Sequence, residues 1–87
     1  MDGLTEGRIV HYVLNDGQHR AAIVVRAWGD HNMPDEVNLY VFLDGANDKA
    51  AAAARVYNAP PGMLWVTSVR YDATGTAPHS WHWPEQA

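Results

Sequence analysis

Short apolar runs broken by turn residues narrow the fold of this chain more than any other feature. Arg8-Ile9-Val10-His11-Tyr12-Val13-Leu14 is rich in β-branched and aromatic residues, stops at Asn15-Asp16-Gly17, and gives way to a second run from His19. Asp-Gly accepts the positive φ of a tight hairpin turn, so the spacing predicts paired strands over 8–14 and 19–28. In the second strand Ala21, Ile23, Val25 and Ala27 alternate with even positions that include Arg20 and Arg26. The period of two assigns the odd residues to the core and the even ones to a wetter face. Gly29 to Glu36 is polar, contains Pro34 and reads as a loop. Val37 to Leu43 is a third strand with Val37, Leu39, Val41 and Leu43 on one face. Tyr40 and Phe42 make the other face too apolar to stay wet, so another part of the chain or a second subunit should cover it. Leu64 to Tyr71 is a fourth strand, with Trp65, Thr67, Val69 and Tyr71 opposite Leu64, Val66, Ser68 and Arg70. Ser80 to Trp83 is a short fifth strand closed by Pro84. Between the third and fourth strands, Asn47-Asp48-Lys49 leads into Ala50 to Ala54. Capping residues before the best helix former predict a short docked helix, with a flexible excursion as the alternative. Asn58-Ala59-Pro60-Pro61-Gly62 ends it. The expected fold is mainly β: one domain over 1–87, a five-stranded, strongly bent antiparallel sheet or partly open, SH3-like barrel with one short helical insertion.

Size and composition bound what such a domain does. At 87 residues it buries only about 60–65% of its unfolded surface, which makes self-association a natural remedy. With 47% apolar and 18% charged residues it is a folding chain rather than a disordered one. It contains no cysteine, which removes disulfides, iron–sulfur clusters and thiol nucleophiles from consideration. No apolar run approaches the roughly 20 residues of a membrane span, and Met1 to Glu6 has no signal-peptide pattern. The expectation is a soluble, cytoplasmic protein with no membrane partner. The net charge is −4 and the six Lys and Arg are scattered. Duplex nucleic acid, which demands a basic footprint, is therefore not expected as a partner. A small anion needs only one or two well-placed arginines and stays open.

Two blocks of sequence resemble a group of small, mostly uncharacterised proteins of tailed bacteriophages and prophages. One runs through Val37-Asn38-Leu39, Val41-Phe42, Asp44-Gly45 and Asn47-Asp48; the other through Thr67-Ser68-Val69, Tyr71-Asp72 and Trp81-His82-Trp83-Pro84-Glu85. Val10-His11-Tyr12 and Arg20 to Val24 extend the likeness over most of the chain, and the Trp-His-Trp-Pro-Glu ending is its most specific part. The alanine-rich stretch departs from the pattern. The resemblance implies phage origin and small size, a place in the host cytoplasm or the virion, and no catalytic residues.

Several residues carry possible chemistry. Trp81 and Trp83 project from one face of the last strand and His82 from the other. With Trp28, Trp65, Tyr12 and Tyr40 they offer either stacking surface for a flat ligand or ordinary buried area that closes the barrel. Trp65 and Trp81 suit the core, and Trp83, beside a proline, suits a ligand. Arg20, Arg26 and Arg70 offer forked donors for phosphate or carboxylate, or pair with surface acids. Of the five histidines, His79 and His82 are three apart, while His11, His19 and His31 lie far off in sequence. No His-Glu-x-x-His or paired-carboxylate pattern appears, so they read as separate imidazoles and no metal or cofactor is expected. Gly-x-Ser-x-Gly, phosphate-loop and Gly-x-Gly-x-x-Gly patterns are absent too. The expectation is a non-enzymatic phage accessory protein that binds a small nucleotide-derived signal of host defence at a site formed on self-assembly, through Arg20, Arg26, Arg70, His82 and Trp83. A virion subunit is the main alternative, and a small hydrolase using His82 the third.

Overall fold

The computed structural model describes residues 3–28, 35–48 and 62–85. Strand β1 (Ile9–Val13) and β2 (His19–Ala27) form the expected hairpin. Gly17 takes φ +86° at its turn, and Asp16 Oδ1 accepts the Gln18 amide. β3 (Val37–Phe42) pairs with β2, β4 (Met63–Tyr71) with β3, and β5 (Ser80–His82) with both β4 and β1. The result is a closed barrel in the order β1-β2-β3-β4-β5. It is mainly β and five-stranded, as expected, and the ring is complete rather than partly open. Four of its seams are antiparallel, but β4 and β5 run parallel. Parity requires this: an antiparallel ring needs an even number of strands, so five leave one parallel seam. The connection 72–79 folds back so that β5 starts beside the last residues of β4, with Ser80 opposite Arg70 and Trp81 opposite Tyr71. The predicted helix over Ala50 to Ala54 lies outside the described residues, as does most of the predicted loop before β3. The described helical element is a 3₁₀ turn at Gly45–Asp48.

The core is built from alternate residues. Val10 and Tyr12, Ala22 and Val24, Val37, Leu39 and Val41, Leu64 and Val66, and Trp81 are all buried. Trp81 has no exposed surface, stacks obliquely on Tyr71 at 4.8 Å, and gives its indole N–H to the Asp35 carbonyl at 2.8 Å. The ring thus closes on a large aromatic whose polar atom is satisfied.

Two face assignments need correction. In β2 the even residues Ala22 and Val24 face the core, while Ala21 and Val25 are exposed. Both faces of Ala21 to Val25 are apolar, so the pattern carries little contrast. The two arginines misled because neither marks an outward even face. Arg20 sits at the barrel end, where it reaches the buried Asp48. Arg26 follows a bulge that shifts the register between Val24 and Arg26. In β4 the inner face runs Leu64, Val66 and then Val69, because a bulge opposite Val37 to Leu39 inserts one residue. Ser68 takes φ +54° there, and its amide donates to Asn38 Oδ1 at 3.0 Å. Asn38 Oδ1 also accepts the Trp28 indole N–H, so one side chain anchors the region where both neighbouring strands bulge.

The outer face of β3 is partly covered from within the chain. Tyr40 lies against Trp65 at 4.9 Å, while Phe42 stays 43% exposed.

Candidate functional site

The barrel's closure creates the cluster. β5 lies beside β1 with His11 opposite His82, and β2 lies on the other side of β1. In the hairpin Val13 faces His19 and His11 faces Ala21, so His11 and His19 are diagonal neighbours on the outer surface. Three adjacent strands thus supply one imidazole each. Beyond β5, Pro84 ends the ladder and Glu85 meets the three rings. His11 Nδ1 donates to Glu85 Oε2 and His82 Nε2 to Glu85 Oε1, both at 2.5 Å, and His19 Nδ1 also donates to Oε1. The four donor atoms lie within 4.8 Å of one another.

Burial differs across the cluster. The side chains of His11 and His19 are about a quarter to a third exposed, whereas that of His82 is 6% exposed. Gly75 in the returning connection accounts for this. A Cβ there would stand 3.2 to 3.3 Å from the His82 ring atoms, and the residue has φ +67°. Glycine is required both for the backbone and for the approach. His82 Nδ1 is buried and makes no hydrogen bond. Burial pushes the Glu85 carboxyl up, but its own backbone amide and the three imidazoles outweigh this and hold it at about 2. A carboxylate only accepts, so each nitrogen facing it carries a proton while these hydrogen bonds hold. In the other tautomer, with each ring proton on the far nitrogen, the same atoms present three nitrogen donors and one oxygen donor around a common point.

The residues expected to bind a ligand occupy separate environments. Arg20 makes a forked contact with Asp48, Nε to Oδ2 at 2.6 Å and Nη2 to Oδ1 at 2.8 Å. That hydrogen bond raises the Arg20 pKa and lowers that of Asp48. Arg26 stacks over Trp28 at 4.1 Å. Arg70 extends outward from β4, with Glu36 at 3.9 Å. Trp83 packs edge-on against Trp81 at 5.3 Å and joins the rim of the core, with Arg8 over its ring at 5.6 Å. His82 alone of the five enters the imidazole cluster. The reading of separate imidazoles therefore fails for His11, His19 and His82. His79 stands apart, bound to the Tyr12 hydroxyl at 2.7 Å, and His31 is outside the described residues. The signal was present in part: a hairpin at Asp16-Gly17 already sets His11 and His19 on one face. The closure of β5 onto β1, which brings His82 and Glu85, is a long-range event that no local pattern encodes. No family model, curated protein or solved structure matches this chain.

Proposed function

We propose that this barrel is a binding module for a divalent late transition metal of the Zn²⁺ class, held by His11, His19, His82 and Glu85. The observation that carries the reading is the convergence of one imidazole from each of three adjacent strands and a carboxylate within 4.8 Å. Imidazole nitrogens suit Zn²⁺, Cu²⁺ and Ni²⁺, whereas Mg²⁺ and Ca²⁺ prefer all-oxygen sites. Tetrahedral zinc with bonds of about 2.0–2.1 Å spaces its donors about 3.3 Å apart, so the present cluster closes on an ion with small side-chain movements. Four protein donors fill that shell and leave no open position for a substrate, which favours holding over catalysis. The reading takes the place of a nucleotide site built from Arg20, Arg26, Arg70, His82 and Trp83, whose members lie in separate environments. The resemblance of the Trp81 to Glu85 ending to tailed-phage proteins supports an accessory role in a phage, with the metal as its bound species.

The test is calorimetric titration of the metal-stripped chain with ZnCl₂, with elemental analysis of the dialysed complex. One zinc per chain, lost in His11→Ala and in Glu85→Ala, is the expected result. Stoichiometric binding that survives both substitutions, or no binding, rejects the site.

A further inference from the structure

A second site lies on the other side of β5 and does not depend on the metal reading. The parallel ladder between β4 and β5 consists of Arg70 opposite Ser80 and Tyr71 opposite Trp81. β4 from Val66 to Val69 runs past the start of β5, and among the described residues no strand pairs with it on that side. The gap is a cleft of about 440 Å³, bounded by β4, the chain from Ala77 to Ser80, and Tyr12. That volume lies within the range of small-molecule sites.

The walls of this cleft hold the non-glycine residues with positive φ among those described, Ser68 at +54° and His79 at +64°. Strained backbone persists only where the surroundings impose it, and it concentrates at binding sites. Both residues are pinned. Asn38 accepts the Ser68 amide at 3.0 Å. The Val13 carbonyl accepts the His79 amide at 2.7 Å, while the His79 ring meets the Tyr12 hydroxyl. The connection between β4 and β5 is fixed as well. Asp72 Oδ1 takes the amide and hydroxyl of Thr74, and Oδ2 takes the amides of Thr76 and Ala77. The acid on the cleft wall is thereby occupied by the loop's own donors.

Charge assigns the guest. Arg20 and Arg26 are committed elsewhere, but the Arg70 side chain is 86% exposed and its nearest acid, on Glu36, is 3.9 Å away. It lines the cleft, as does His79, with its forked donors largely exposed. Val66, Val69 and Pro78 give the lining an apolar part. We propose that this cleft takes a small organic anion, its phosphate or carboxylate held by Arg70 and its body lying against the apolar wall. A guanidinium fork matches either oxyanion.

The experiment is an amide-resolved NMR titration of the full chain with adenosine monophosphate, inorganic phosphate and benzoate as separate probes. The expected result is a saturable shift of the Ser68 to Arg70 and Ala77 to Ser80 amides by at least one probe. Arg70→Ala should weaken that probe about tenfold or more, and Arg26→Ala should leave it unchanged. Response to both phosphate compounds but not benzoate identifies a phosphate guest, and the reverse a carboxylate guest. Absence of any saturable shift at these amides up to about 10 mM, well above a millimolar dissociation constant, overturns the proposal. So does an undiminished response in Arg70→Ala. Each variant's amide spectrum reports its own folding.

Discussion

Two polar clusters of this barrel, both joining residues remote in sequence, are balanced in opposite ways. In the first, Arg20 meets Asp48: one cation faces one anion, and Asp48 also accepts the Asp44 amide at 2.6 Å. Two further Arg20 donors go to the His19 carbonyl and Gln18 Oε1. All of these contacts lie within the fold, and the cluster is finished without a guest. In the second, three imidazoles share the single carboxylate of Glu85, and a buried ring nitrogen of His82 is left over. The first is arithmetic that closes and reads as structure. The second gathers three imidazoles on one carboxylate and leaves a buried ring nitrogen without a partner, the imbalance that the proposed metal site would use.

The largest expected effect breaks the balanced cluster. Asp48→Ala strands the Arg20 charge beside a nearly dry site, since Asp48 is 1% exposed, and should cost about 3–4 kcal/mol in urea unfolding. The loss should be equal with and without zinc. Replacing both partners by apolar residues, as in Arg20→Met with Asp48→Leu, should recover most of it. A metal-dependent loss would erase the distinction between the two clusters.

The imidazole cluster should behave in the reverse way. His19→Ala should change the stability of the metal-free chain by less than about 0.5 kcal/mol. Wild type at a hundredfold excess of free zinc over the dissociation constant should gain about 2.7 kcal/mol, and the variant should forfeit that gain. Calorimetric melting with and without zinc measures both.

Gly75→Ala sharpens the contrast further. Its left-handed backbone should cost about 1–2 kcal/mol, and its new methyl would press on the His82 ring. Gly17→Ala carries a similar backbone penalty with open space around it. Both should lower the melting temperature, but only the change at Gly75 should also weaken zinc binding.

The smallest effect is in pH dependence. The Ala77 amide and the Thr74 hydroxyl lead the contacts that lower Asp72 from 3.8 to about 2. The unfolded chain therefore takes up this proton first as pH falls. The contribution of Asp72 to stability is complete above about 4 and drains away between about 4 and 2. Amide exchange at Thr74, Thr76 and Ala77 should accelerate across that window, and Asp72→Asn should flatten the change. Zinc binding should weaken in acid for a separate reason, because protonated imidazoles cannot ligate.

Much of the barrel was legible from local chemistry. Asp16-Gly17 set the first hairpin, and the alternation of Val37, Leu39 and Val41 against Asn38, Tyr40 and Phe42 set the inner face of β3. Legibility failed where apolar residues occupied both faces, as from Ala21 to Val25, and where an inserted residue reset the alternation, as at Ser68. The imidazole cluster was half legible, since the hairpin alone joins His11 to His19. Its other half waited on β5 meeting β1, which depends on how far the whole sheet curls and not on any neighbouring residue.

That curl has an identifiable source. Val25 and Ser68 are surplus links in the strands on either side of β3, at the same height as Asn38. Removing either would leave the apolar residues beyond it on their present side, because each link adds one position and a half-turn together. What would disappear is arc: a ribbon with two fewer bends would travel straighter and fall short of its own beginning. Such a shortened chain would carry nearly the same greasy inventory yet end as an unjoined band with bare margins, inviting a copy of itself to finish the circle.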